Sequence, residues 1–406
     1  MADRFSHHFL MTAQDAADYA KEKLDYFDSD SVLFASEIGD GNINYVFKVR
    51  DTSSKKSLVI KQADVLLRSS GRPLDTQRNK IEAEILKIQG ELAPEFVPKV
   101  FCYDEKMCLI GMEDISAYKN LRNELMEGKA FENLGENISD FFAAVLLPTT
   151  DLVLDREKKK KRVQYFTNIE LCDISEDLVF TEPYYNYKNR NIVTPENLEF
   201  VKENLYRNKK LKAQVGVLRN NFMNNAQALI HGDLHSGSIF INENGIKVID
   251  PEFAFYGPMG YDIGNVLGNM FFPLARRYFL EYSKSDRLQL EKTIQDIFDL
   301  TFKKLEDSYG KIVTFDLYDN ELFKKEYLAQ VMSDSVGYAG TEIIRRVVGD
   351  SKVKELTEVK CKNIRIPMER CLVLFGEKAV ENRREISSGK QLIQLFKNAL
   401  KDVKNI

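Results

Sequence analysis

The sequence predicts an α+β fold, β-rich to about residue 114 and mostly helical after it. Three observations lead there. Between Val32 and Met112, short runs alternate apolar and polar residues, with Gly, Asp or Asn at the turns. From Phe131 onward, apolar residues recur at helical spacing. One stretch interrupts the helical part: Leu229 to Gly264, LIHGDLHSGSIFINENGIKVIDPEFAFYGPMGYDIG.

Composition sets outer bounds. A chain of 406 residues with 44% hydrophobic and 30% charged residues has the make-up of a globular protein with ample core. A net charge of −4 offers no basic field for nucleic acid. No apolar run reaches the ~20 residues of a membrane span, and the start lacks a signal-peptide pattern. The 5 cysteines show neither a paired framework nor a CxxC zinc pattern, so they read as reduced core thiols in a cytoplasmic protein.

Taken in order, Thr12 to Leu24 reads as an amphipathic helix, ended by Asp28-Ser29-Asp30. His7 and His8 read as tail residues. The run from Val32 to Arg50 folds around a turn at Gly39-Asp40-Gly41-Asn42-Ile43-Asn44. The next strand, Ser57 to Gln62, has Lys61 near its end. A helix from Asp75 to Leu92 carries Ile81, Ile85, Ile88 and Leu92 as its core stripe, flanked by Glu82 and Glu84. Val100 to Tyr103 and Met107 to Met112 form a hairpin, followed by Glu113, Asp114 and Ile115.

Lys119 to Met126 and Phe131 to Leu147 read as helices, and Lys158 to Arg162 as a solvated basic helix start. A helix from Asn168 breaks at Thr181-Glu182-Pro183. Phe180 is expected to pack; Tyr184, Tyr185 and Tyr187 could cover a small apolar substrate or pack beneath. Residues 195 to 228 read as one long helix. After the central stretch the chain is helical from Asn265, with helices over 285–308, 321–349 and 365–404. The helix over 321–349 holds Arg345-Arg346.

In the central stretch, Asp233 and Asp250 each follow a short apolar run, and Asn244-Gly245 between two such runs signals a hairpin. A hairpin would bring Asp250 back toward Asp233. The order Asp, hairpin, Asp resembles the catalytic and metal-binding loops of the protein-kinase-like fold. His231-Gly232-Asp233 and Asp250-Pro251-Glu252 resemble its small-molecule branch, with aminoglycoside, choline and homoserine kinases. HGDLHSGSIF followed by DPEFAFYGPMGYDIG resembles the S-methyl-5-thioribose kinase family within that branch.

The resemblance runs from Ile38 through Arg346 and implies a two-lobed protein-kinase-like fold, with an N-lobe over 1–114 and a C-lobe over 115–406. It implies that Mg²⁺ and ATP bind between the lobes, that the 1-hydroxyl of S-methyl-5-thioribose is phosphorylated in methionine salvage, and that the enzyme is a homodimer. Gly39, Gly41 and Asn44 would form the glycine-rich loop over the phosphates, where glycine lets backbone N–H groups approach. Lys61 would pair with phosphate, aimed by Glu82 or Glu84, with the family favouring Glu82. Glu113, Asp114 and Ile115 would be the hinge at the adenine. Asp233 would accept the hydroxyl proton and orient the oxygen.

Ser238 stands where related kinases carry a metal-binding asparagine, and Glu252 can supply the missing oxygen. Magnesium therefore falls to Asp250 and Glu252. His231 and Asp262 would hold the catalytic loop, and the role of His235 stays open. The family's arginine pair contacts the sugar, which places Arg345 or Arg346 in the site. Consecutive arginines lie ~100° apart on a helix and need not share a face. Two rivals remain: a kinase for choline, homoserine or an aminoglycoside, and a non-catalytic nucleotide-binding scaffold. Ser238, Glu252 and the arginines weigh against the first; Lys61, Asp233 and Asp250 together weigh against the second.

Overall fold

The computed structural model describes residues 4–38, 44–66 and 74–403. They divide into two compact units. One comprises Met1–Tyr118 with Lys247–Ala254; the other comprises Lys119–Ile246 with Phe255–Ile406.

The first unit contains α1 (Ala13–Lys23), β1 (Leu33–Glu37), β2 (Tyr45–Asp51), β3 (Ser57–Gln62), α2 (Gln77–Leu92), β4 (Val100–Asp104) and β5 (Leu109–Glu113). Its sheet is antiparallel in the order β1-β2-β3-β5-β4. Side chains alternate faces along a strand. Leu58 and Ile60 of β3 therefore pack with Phe47 and Val49 against Ala16, Tyr19 and Ala20 of α1. Val59 turns to the other face, where Ala83 of α2 joins Ile110 and Met112. Lys61 shares the parity of Val59, so the pleat directs it to the side that carries α2. Thr12 caps α1 in a reciprocal capping box with Asp15. The helix runs to Lys23, with Leu24 as its C-cap in extended backbone, as the expected span of Thr12 to Leu24 has it. The N-terminal segment is no loose tail. Phe5 and Met11 are buried, and His8 lies 3.3 Å from the Met107 carbonyl and 3.4 Å from Asp64.

The second unit opens with β6 (Lys119–Asn120), α3 (Leu121–Met126), α4 (Leu134–Val145), α5 (Arg156–Tyr165), α6 (Ile169–Phe180), α7 (Glu182–Tyr185), α8 (Leu198–Val201) and α9 (Lys209–Asn224). β7 (Ala228–Ile230), β8 (Ile239–Asn242), β9 (Gly245–Val248) and β10 (Phe255–Gly257) follow; β9 carries the chain into the first unit. The unit ends with α10 (Met259–Phe279), α11 (Lys284–Ile312), α12 (Glu321–Val348), α13 (Lys354–Thr357), α14 (Lys362–Glu381) and α15 (Gly389–Val403).

Several expectations for this unit are corrected. The helix expected over 195–228 is broken. A π-helical turn, Lys202–Tyr206, ends its first part, and Asn208 starts a new helix by accepting the Leu211 N–H at 3.0 Å. Its last residues instead form β7. Lys159, read as part of a solvated run, is buried and donates to Asp151 at 2.5 Å and to the Ala226 carbonyl at 2.7 Å. α10 begins at Met259 rather than Asn265, with Pro258 as its cap. Phe180 packs against Phe222, Tyr261 and Tyr338, and Tyr184 is buried, whereas Tyr185 and Tyr187 are exposed. All five cysteines are free; Cys371 is buried but Cys361 is exposed. Among the described residues, no helix is long and apolar enough to cross a membrane.

The feature that positions the site is the crossing of α10 on α12. Gly260, Gly264 and Gly268 line one face of α10. A Cβ on Gly264 would lie 2.6 Å from the Ser335 carbonyl, and one on Gly268 would lie 2.9 Å from that of Ala339. The two backbones therefore touch, and Asp262 and Asn269 are held in register with Glu342, Arg345 and Arg346. Gly264→Ala should force the helices apart and cost about 1–3 kcal/mol, the usual range for overpacking. Urea unfolding of the variant beside the parent measures it; an unchanged midpoint would mean that the crossing is looser than described.

Candidate active site

Each unit carries one dense cluster of charged groups. In the first, Lys61 is buried and donates to Glu82 Oε1 at 2.7 Å and to Asp250 Oδ1 at 2.5 Å. Glu84 is turned away and pairs with Lys87 at 2.7 Å. Asp250 adopts left-handed backbone, φ 62°, which asparagine and aspartate tolerate better than most residues. That turn brings Glu252 inward. Glu252 Oε2 lies 3.5 Å from Arg78 Nε and accepts from the Asn44 amide at 3.3 Å. Arg78 in turn donates to Asn44 Oδ1 at 3.1 Å. Pro251 is buried at the start of the same turn. Gly39 and Gly41 of the expected glycine-rich loop lie outside the described residues.

Three carboxylates thus face two cations here. Burial pushes the Glu82 carboxyl up to about 7 despite Lys61, and burial also raises Glu252. Burial opposes the charge on Lys61, but Asp250, Glu82 and Glu252 outweigh it and keep the ammonium protonated. Glu82 Oε2 has no hydrogen-bond partner. With three carboxylates against two cations, Asp250 and Glu252 could hold a magnesium ion, which takes carboxylate oxygens.

The expected hinge follows β5. The Glu113 N–H donates to the Lys99 carbonyl at 2.8 Å, and the Ile115 carbonyl accepts from Tyr118 N–H at 2.8 Å. Asp114 is held by Ser57 at 2.6 Å and Lys48 at 2.8 Å. Burial opposes its charge, but Lys48, Ser116 and Ser57 bring the carboxyl down to about 2. These side chains brace the strand end.

The second cluster is built on the loop after β7. Gly232 has φ 84°, a conformation open to glycine. Asp262 accepts the His231 N–H at 2.6 Å and the Gly232 N–H at 3.0 Å, fixing the loop from α10. His231 is fully buried, and its Nδ1 accepts the Asp233 N–H at 3.3 Å. Asp233 Oδ1 accepts from Arg345 at 2.8 Å and from Arg346 at 3.4 Å. Both arginines are buried, and the structure brings both to one oxygen. His235 Nε2 lies 3.7 Å from Asp233 Oδ2, while its Nδ1 meets Ser238 Oγ at 3.2 Å.

Burial alone would raise the Asp233 carboxyl. His235, Arg345 and Arg346 outweigh it and hold the group well below the usual carboxylate range. Burial, with Arg122 and Arg346, pushes His235 down to about 3. Its ring is therefore neutral at neutral pH, and there the arginines carry the stabilisation of the Asp233 charge.

Four residues of these clusters escaped the sequence reading. Glu342 bonds both arginines, Asn269 and Arg122 extend that network, and Arg78 joins Glu252. Glu342 had a local signal, since it stands three and four residues before the arginines, at ion-pair spacing. The others meet their partners only through tertiary packing.

Residues 35–292 match the "Phosphotransferase enzyme family". A methylthioribose kinase of Bacillus velezensis is 36% identical over 99% of this chain and 100% of its own length. One of Yersinia pseudotuberculosis is 34% identical over 91% and 92%. A crystal structure of choline kinase from Cryptosporidium parvum superposes with a TM-score of 0.47, at 12% identity over 96% of this chain and 97% of that one.

Asp262→Ala would leave two buried loop N–H groups without an acceptor, at roughly 1–3 kcal/mol each. Denaturant unfolding should show that loss; parental stability would mean that water replaces the carboxylate.

Proposed function

Because this chain belongs to the methylthioribose kinases of the phosphotransferase enzyme family, we propose that it transfers the γ-phosphoryl group of ATP to the 1-hydroxyl of S-methyl-5-thioribose. The observation that carries the reading is the convergence of Arg345 and Arg346 on the Asp233 carboxylate. An acceptor that begins as a neutral sugar and ends as a phosphate ester suits a carboxylate beside guanidinium groups.

In this reading the cluster in the second unit handles the acceptor. Asp233 takes the hydroxyl hydrogen bond and aims the oxygen at the γ-phosphorus. The new O–P bond forms as the bond to the β-phosphate oxygen breaks, the proton passes to Asp233, and ADP leaves. A carboxylate held at so low a pKa is a weak base, so it contributes chiefly by orientation and takes the proton late. Arg345 and Arg346 are placed to meet the charge on the transferring group. The cluster in the first unit handles phosphate: Lys61, aimed by Glu82, offers a fixed ammonium. Asn44, with Gly39 and Gly41, would cover the phosphates, and the backbone of Glu113 to Ile115 would face the adenine.

Asp250 and Glu252 would hold magnesium, which would supply positive charge against the phosphates. Residence in the cytoplasm and a homodimer belong to the same reading, supported by the family resemblance.

Coupled ATP turnover with methylthioribose beside ribose, choline, homoserine and kanamycin tests the substrate. Turnover confined to methylthioribose is expected; activity on another acceptor alone would discard the sugar assignment. Asp233→Ala should lower kcat by about 10²–10⁴-fold while ATP still binds; near-normal turnover would sink its role. Glu252→Ala should raise the magnesium concentration needed for half-maximal rate, and an unchanged titration would make Glu252 structural.

A further inference from the structure

Adjacent arginines on a helix diverge by ~100°, yet Arg345 and Arg346 reach the same oxygen of Asp233. The cause lies one turn earlier on α12. Glu342 is fully buried, and its two oxygens divide between the two guanidinium groups. Oε2 accepts from Arg345 Nε, and Oε1 accepts from Arg346 Nε at 2.9 Å. With each Nε end tied, Nη2 of each arginine faces Asp233, while Arg346 Nη1 donates to the Ser351 carbonyl at 3.4 Å.

Glu342 Oε1 also accepts from Asn269 Nδ2 at 2.9 Å. Asn269 Oδ1 accepts from Arg122 at 3.2 Å, and Arg122 Nε donates to Ser236 Oγ at 3.2 Å. Ser236 belongs to the loop that carries Asp233. The bonds therefore run from the arginine pair through Glu342, Asn269 and Arg122 back to that loop.

We infer that Glu342 is the positioning residue of the reaction: it sets Arg345 and Arg346 as a fixed fork on Asp233 and, through Asn269 and Arg122, ties the fork to the loop. The inference rests on the role given above to Asp233. Without Glu342 each arginine regains its rotamers, and the fork loses its aim at the reacting oxygen.

The groups that face Asp233 are His235, Arg345, Arg346, Arg122, Glu342, Asp262 and Tyr261. A depressed carboxyl stays ionised across the neutral range and loses its charge only as pH falls through the depressed value. Loosening the fork with every charge kept weakens the nearest positive field and leaves the burial, so the value rises, whereas Glu342→Gln also removes a carboxylate that repels Asp233, which acts the other way.

The test uses the full-length enzyme, with methylthioribose and ATP varied separately. Glu342→Gln should lower kcat/KM for methylthioribose by about 100-fold, the scale of an ångström-sized misplacement. KM for ATP should stay put; the acid limb of the kcat/KM profile is read on Asn269→Leu, which keeps every charge, and should move to higher pH. Glu342→Asp keeps the charge and should recover part of the loss. Asn269→Leu removes the brace on Glu342 together with the tie to Arg122, leaves every charge in place and should shift the same parameters by less; it and Glu342→Asp decide the matter where Glu342→Gln does not fold. Equal losses toward both substrates with the acid limb unmoved would overturn the inference. So would an Asn269→Leu enzyme with parental sugar kinetics. Near-normal turnover of Asp233→Ala would instead overturn the reading beneath it, and this role with it.

Discussion

Buried charge must be answered by opposite charge within hydrogen-bonding reach, and much of this structure follows from that constraint. Arg345 and Arg346 are carried into the second unit on a buried stretch of α12. Removing either guanidinium from water costs several kcal/mol unless carboxylates meet it. Glu342 and Asp233 are those carboxylates. Burial would raise Glu342, yet the two arginines bring it down to about 2, and both gain from it. The same contacts keep Asp233 ionised. Charge balance and the placement of both guanidinium groups on Asp233 are here one set of bonds.

The first unit treats the constraint differently. Lys61 and Arg78 face three carboxylates, Glu82, Asp250 and Glu252, and burial, with the repulsion among them, pushes Glu82 and Glu252 upward. A balanced cluster would be more stable. An unbalanced one retains affinity for further positive charge. The contrast separates a cluster arranged to hold its own cations from one with oxygen to spare.

Much of this was legible in the sequence wherever the cause was local. Alternation disclosed β1 to β5, Asn244-Gly245 disclosed the β8–β9 turn, and helical spacing disclosed α2, α4, α11 and α12. The motif around Asp233 and Asp250 led to the kinase fold and the methylthioribose kinases because each polar residue there has a chemical reason to be present. What was missed depends on distant partners. Periodicity continues through residues 195–228, so the break at Asn208 hid behind a pattern that both helices share. Lys159 looked solvated among neighbouring lysines, because its acceptors, Asp151 and the carbonyls of Ala226 and Gln227, lie elsewhere in the chain. Glu82 and Glu84 are equivalent by composition; the pleat of β3, which turns Lys61 toward α2, separates them.

The glycine seam between α10 and α12 bears on how the acceptor specificity of such an enzyme could be redesigned. Residues on α12 that point toward Asp233 cannot be enlarged and then accommodated by a shift of the helix, since its backbone already rests on that of α10. α10 in turn carries Asp262, which anchors the loop. A directed-evolution library aimed at α12 would thus sample mostly unfolded proteins.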